Sequence, residues 1–187
     1  NAGGEIVINN CVIKGWTSFA AAINKVTITG SKFVEGNYNQ LRFYQDAKIE
    51  NTEFNQSMTV DFRKENVVAT FENCSVSDGS SLLDIIYILD IAANGVEVTI
   101  DNTPVIIEAM IGDNIYATVA EAFAAAVDGD EVKIYAAGTH ALSTSGKDIT
   151  ITGVVNGVEF DNIGAHNMGG ANVTFNNVTF DYANGST

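Results

Sequence analysis

The chain has 187 residues, 46% of them apolar, with 23 acidic side chains against nine Lys and Arg, a formal charge of −14. That apolar content supports one substantial core or two small joined modules and excludes an acidic disordered tail. A field of this sign repels phosphate backbones, so no nucleic-acid partner is expected, and no window of the sequence approaches a membrane span.

The opening, Asn1-Ala2-Gly3-Gly4, carries no charged-then-apolar leader. The expectation is that such a segment was removed or that the chain is a fragment of something longer. A pattern then begins: apolar, any, apolar, any, Asn or Gly, two residues, apolar. It runs Ile6-Val7-Ile8-Asn9-Asn10 with Ile13, Val26-Thr27-Ile28-Thr29-Gly30 with Phe33, and Ala47-Lys48-Ile49-Glu50-Asn51 with Phe54. Ala69-Thr70-Phe71-Glu72-Asn73 with Val76 and Val98-Thr99-Ile100-Asp101-Asn102 with Val105 continue it. Later copies are Ile149-Thr150-Ile151-Thr152-Gly153 and Val173-Thr174-Phe175-Asn176-Asn177 with Phe180.

The markers at residues 10, 30, 51 and 73 lie 20, 21 and 22 residues apart, a solenoid period. The leucine-dense consensus of leucine-rich repeats is missing. Alternation at period two turns one side of each strand inward. A hairpin fold would need tight two-residue turns between neighbours, whereas each marker stands about one circuit from the next. The reading is an all-β, right-handed parallel β-helix with rungs of about 20–24 residues, with an ordinary β-sandwich as the alternative. Leu41-Arg42-Phe43, Val60-Asp61-Phe62 and Leu83-Asp84-Ile85 supply a second strand per circuit. Asn10, Asn51, Asn73 and Asn102 are expected to form a corner ladder with Gly30, because Asn and Gly tolerate left-handed backbone angles.

Cys11 and Cys74 share one place in the repeat, three rungs apart. At roughly 4.8 Å per strand that is about 14 Å, beyond the ~7 Å that a disulfide allows. Two free, mostly buried thiols are expected.

From Tyr116 to Val127 the sequence YATVAEAFAAAV breaks the rhythm, and the composition predicts one short amphipathic helix with Tyr116, Ala120, Phe123 and Val127 on one face. Asp128-Gly129-Asp130 ends it, followed by a strand at Glu131–Tyr135 and a turn at Ala137-Gly138-Thr139. The run AEAFAAAVDGDEVKIYAAGTH at 120–140 resembles the opening of pectate-lyase-like β-helix proteins, where a short helix lids the first turn of the coil. The repeats are also similar to those of related bacterial surface domains. The resemblance implies architecture and carries over no catalytic residue. The clustered aspartates and framed arginine of pectate lyases, and the Asn-Thr-Asp, Asp-Asp and Gly-His-Gly motifs of polygalacturonase-like members, are missing here. Residues 1–112 read as rungs, like the C-terminal part of a longer coil, and 113–187 as a capping-type helix followed by further rungs. An excursion from one continuous coil stays open. Both ends carry rung-like strands without a cap, which points to end-to-end self-association or to flanking chain.

Stacked rungs place outward side chains in columns. The first holds Thr29, Glu50, Glu72 and Asp101; Glu50, Glu72 and Asp101 are the metal candidates, for Ca²⁺, against a solvated acidic face. The second holds Arg42, Asp61 and Asp84, the catalytic candidates, with Arg42 over Asp61 as an exposed ion pair worth about 0–1 kcal/mol. Stacking alone could set Asp61 and Asp84 within the roughly 5–9.5 Å that glycosidic hydrolysis uses. Carbohydrate-contact candidates are Trp16, Tyr38, Tyr44 and Arg63, planar groups among polar neighbours. His140 and His166 are isolated and read as turn residues. Gly3-Gly4 and Gly169-Gly170 lack the context of phosphate loops. Asn172-Val173-Thr174 and Asn177-Val178-Thr179 match a glycosylation pattern.

The functional expectation is a non-enzymatic extracellular or cell-surface module, a rigid spacer, adhesive or carbohydrate-contacting domain, with polysaccharide or another surface protein as partner. The alternative is a polysaccharide lyase or glycoside hydrolase acting on an extracellular glycan. No cofactor is expected beyond the Ca²⁺ option.

Overall fold

The computed structural model describes residues 3–15, 17–161 and 169–181. The chain forms stacked parallel coils, a β-solenoid, divided into two compact units at 1–105 and 106–187. Residue 112, the border read from the sequence, lies between the paired strands Ala109–Ile111 and Asn114–Tyr116, inside the second unit.

In the first unit each turn contributes to three sheets among the described residues. The largest stacks Glu5–Asn9, Lys25–Thr29, Asp46–Glu50, Val68–Glu72 and Glu97–Ile100 in parallel. Its register sets Ile8, Ile28, Ile49, Phe71 and Ile100 one above another, and Ile6, Val26, Ala47, Ala69 and Val98 beside them. Inward positions at period two therefore become apolar ladders along the coil. A second sheet follows the corner and carries Ile13, Phe33, Phe54 and Val76, while the third pairs Thr17–Ser18, Gln40–Phe43 and Thr59–Phe62. Phenylalanines stack at rung spacing, Phe19 on Phe43 at 5.6 Å and Phe43 on Phe62 at 5.9 Å, with Phe33 on Phe54 at 5.2 Å.

The corner residues Asn10, Gly30, Asn51 and Asn73 all adopt positive φ, between 48° and 57°. Asn73 Nδ2 donates to Asn51 Oδ1 at 2.7 Å, so the ladder is joined through side chains as well as backbone. The next position is a small polar residue that bonds back to the carbonyl two residues earlier. Ser31 and Thr52 do so with hydroxyls at 3.0 and 2.9 Å, and Cys11 and Cys74 do so with thiols at 3.3 and 3.4 Å. Both thiols are free, but Cys11 is exposed and Cys74 only partly buried, which corrects the expectation of buried thiols. The corner turns these side chains onto the backbone surface and away from the core.

The repeat at Val98–Val105 is not another rung. Asp101 and Asn102 both take positive φ, 46° and 61°, and close a two-residue hairpin whose second strand, Thr103–Pro104, runs antiparallel to Thr99–Ile100. Left-handed angles at two successive residues reverse the chain, whereas a single one turns the corner. Asp101 thereby takes the ladder place expected of Asn102, its Oδ1 accepting the Asn73 amide at 2.7 Å.

The interval from Asn73 to Asn102 is 29 residues. The excess forms a 3₁₀ turn, Leu82–Asp84, and a helix α1, Ile88–Asn94, where the sequence suggested a strand at Leu83–Ile85. A lone parallel bridge, Val60 to Ile86, keeps the third sheet's register.

In the second unit Glu131–Ile134, Ile149–Gly153 and Val173–Asn176 stack in parallel, with the Ala109–Ile111/Asn114–Tyr116 hairpin paired antiparallel along Glu131–Ile134. Gly138–His140, Val158–Asp161 and Thr179–Asp181 form the companion sheet. The helix α2 spans Val119–Ala125, shorter than expected, because Tyr116 is committed to a strand and Thr118 caps the helix. Thr118 Oγ1 accepts from Glu121 N, and Glu121 Oε2 accepts from Thr118 N, a reciprocal box that fixes the first turn. Its buried face is Val119, Ala122, Phe123 and Ala126, while Ala120 and Val127 are exposed, so the expected face was one position out of phase. That face packs on Val132, Ile134, Ile151 and Phe160. Gly153 replaces the corner Asn because a Cβ there would collide with the Asn177 carbonyl.

No helix among the described residues is long and apolar enough to cross a membrane.

Candidate functional site

The second outward column contains the densest charge network of the first unit. Arg42 and Asp61 are in register on adjacent strands, which places the guanidinium beside the carboxylate. Arg42 Nε donates to Asp61 Oδ2 at 3.3 Å and Arg63 Nη2 donates to the same oxygen at 2.6 Å. Asp61 is 3% exposed, so the expected exposed ion pair is instead anchored on a buried acid. Strand alternation alone would have left Asp61 facing water. The long fourth turn changes that, since the 3₁₀ turn, the Val60–Ile86 bridge and α1 are laid against the same strand.

Asp84 does not join this pair. It is exposed and closes the capping box of the 3₁₀ turn, its Oδ2 accepting the Ser81 amide at 3.0 Å. With Val60 bridged to Ile86, the column position after Asp61 falls to Tyr87, 48% exposed. The second acid of the cluster is Asp90 of α1, which the sequence reading missed. Its Oδ2 accepts the Phe62 amide at 2.8 Å and its Oδ1 accepts from Asn94 Nδ2 at 3.4 Å. Burial raises the Asp90 pKa above the ordinary aspartate value; the Phe62 bond opposes this, and the Asp61 charge adds to it. The hydrogen bond to Asp61 pushes the Arg63 pKa further up, so its charge is fixed at every pH where the protein folds. The available signal was a lone acid inside the apolar run Ile88-Leu89-Asp90-Ile91, within the one interval longer than 22 residues among the first five markers.

Of the sugar-contact candidates, Tyr44 follows Phe43 and is partly buried beside Arg63, whose side chain is 46% exposed. Tyr38 stands apart in a turn, 73% exposed. Trp16 lies outside the described residues, as does His166.

The acidic column is distributed, not convergent. Glu50 and Glu72 are in register, and Lys48 Nζ reaches Glu50 at 2.8 Å. That bond, then the Glu50 and Glu72 charges, raises the Lys48 pKa. Asp101 is turned to the Asn73 amide by the hairpin. Among the described residues no group of three or more His, Cys, Asp or Glu side chains is arranged to hold a metal ion.

His140 lies in the strand Gly138–His140, not in a turn. Its Nε2–H donates to the Ala136 carbonyl at 2.8 Å, and its ring faces Phe160 at 6.2 Å. Of the sequons, Asn172 is tied by its side chain and amide to Asp148, and Asn177 occupies a corner at φ 53°.

Comparison of the chain with protein-family models, with curated proteins and with solved structures gives no match in any of the three.

Proposed function

We propose that the chain is a non-enzymatic extracellular or cell-surface module, a rigid spacer or adhesive element whose face around Tyr44, Arg63 and Tyr87 contacts carbohydrate or another surface protein. The reading includes kinship with the pectate-lyase-like β-helix superfamily through the helix–strand–turn run at 120–140. The observation that carries it is the state of Asp61. A general base must reach the proton it removes; this carboxylate is buried, and one of its oxygens already takes both guanidiniums. Its expected partner Asp84 serves a turn instead. Such a pair behaves as a clamp that holds two arginines flat against the sheet. Partly exposed guanidinium and phenol groups beside it suit hydroxyl-rich rings, since a planar cation and an aromatic face give both hydrogen bonds and stacking.

The test is a glycan panel assayed in parallel for retention, for unsaturated products and for new reducing ends. Retention without turnover, reduced by Tyr44→Ala and Arg63→Ala, is the expected result. Turnover abolished by Asp61→Ala would establish the enzyme reading instead. Calorimetric titration with Ca²⁺ separates the acidic column from this face: Glu50→Gln and Glu72→Gln should leave retention unchanged.

A further inference from the structure

The five-residue segments Asn94-Gly95-Val96-Glu97-Val98 and Asn156-Gly157-Val158-Glu159-Phe160 share their first four residues, yet the fold treats them differently. An asparagine followed by glycine is chemically labile, because glycine has no Cβ to hinder approach of its own nitrogen to the asparagine side chain. Whether the reaction proceeds depends on how freely the amide can move.

Asn94 is the last residue of α1 and is partly buried. Its Nδ2 donates to Asp90 Oδ1 at 3.4 Å, and its own carbonyl accepts the Asn66 amide at 3.1 Å. Gly95 is equally confined, since even a Cβ there would press on Asn66 Oδ1 at 2.9 Å. Asn156, by contrast, is exposed at the tip of the turn joining Ile149–Gly153 to Val158–Asp161. No hydrogen bond from the described residues holds its side chain, and Gly157 stands at φ 82°. The carbonyl of Gly157 is pinned by the Gly138 amide at 2.7 Å, but that carbonyl belongs to the peptide after Gly157. The reacting nitrogen belongs to the peptide before it.

We propose that Asn156 is a site of spontaneous deamidation and isoaspartate formation, selected by the turn, whereas Asn94 is protected by α1. The Gly157 nitrogen attacks Asn156 Cγ, forming an N–Cγ bond while Cγ–Nδ2 breaks. The amide proton of Gly157 leaves with the departing nitrogen as ammonia. Water then adds to one of the two carbonyls of the resulting succinimide and opens it to aspartate or isoaspartate. No oxidant or cofactor takes part. The product adds a negative charge to a chain already at −14. The isoaspartate form also lengthens the backbone by one methylene beside the Gly138–Gly157 hydrogen bond.

Incubation of the full chain at neutral to mildly alkaline pH, with peptide mapping by mass spectrometry, tests this. The peptides containing Asn94, Asn156 and Asn184-Gly185 are scored separately, and Asn156→Gln assigns the second signal. Native protein should convert Asn156 at least about tenfold faster than Asn94, the order by which a hydrogen bond's worth of local opening slows a reaction of the open form. In urea the two rates should converge to within a few-fold, since the local sequence is shared. Equal native rates would overturn the proposal. So would a ratio that survives in urea, because protection would then not come from the fold.

Discussion

Replacing Asp61 by Asn removes the charge and keeps the shape, and it asks whether the carboxylate is a structural clamp. In the folded protein one buried oxygen accepts from Arg42 at 3.3 Å and Arg63 at 2.6 Å. A hydrogen bond involving a charged group is worth about 1.5–3 kcal/mol net. The 3.3 Å contact takes the low end, and both arginines can recover water, being 27% and 46% exposed, which discounts the sum further. Asn retains one acceptor, and loss of the Asp61 charge relieves its repulsion with Asp90. The expected loss is about 2 kcal/mol, between the median exposed pair and the ~3–5 kcal/mol of a fully buried broken one. Urea unfolding followed by circular dichroism measures it, with Arg63→Gln alongside. A double-mutant cycle should show that Asp61→Asn and Arg63→Gln are not additive, since they remove the same bond. If Asp61→Asn lies within about 0.5 kcal/mol of the parent, the clamp reasoning is wrong.

Three further outcomes are expected. Phe43→Ala removes a fully buried ring stacked on Phe19 and Phe62 and should cost about 3–5 kcal/mol by the same urea measurement. At the corner, Asn73 has φ 52° and bonds to Asn51, so Asn73→Ala should cost about 1–2 kcal/mol more than Asn73→Gly, which keeps the backbone conformation at no steric cost. For Asp90 the folded pKa is raised above the unfolded value, so the folded state binds the proton more readily and the ionised group costs stability at neutral pH. That cost is relieved as pH falls through the raised folded value toward the ordinary ~3.9. Asp90→Asn should accordingly be at least as stable as the parent at neutral pH, with the difference shrinking on acidification; unfolding midpoints at several pH values check it.

Much of the architecture could be read from residue order because it rests on local rules. Apolar residues two apart, such as Val26 and Ile28 or Ala47 and Ile49, choose an inward face whatever surrounds them. A residue tolerant of positive φ at each marker turns the corner, and the interval between Asn10, Gly30, Asn51 and Asn73 fixes the length of a turn. These features predicted that Ile8, Ile28, Ile49 and Phe71 would stack, and they do. The same rules misread Val98–Val105, because Asp101-Asn102 differs from a corner only by a second residue with positive φ. They also misplaced the buried face of α2, where Thr118 set the start of the helix through a capping box.

The candidate site was legible only as a column. Arg42 beside Asp61 follows from register, but the burial of Asp61 and the entry of Asp90 follow from α1, a segment 28 residues further along at the Phe62–Asp90 bond. Periodicity assigns an outward residue to solvent, and it carries no information about what another part of the chain will lay over it. Sequence by itself therefore determined the coil, its period and its inward ladders, since each depends on a residue's own backbone preference and that of its near neighbours. Tertiary structure decided which carboxylates are sealed, which are exposed and which asparagines are held, because desolvation and hydrogen bonding depend on atoms that sequence distance does not order.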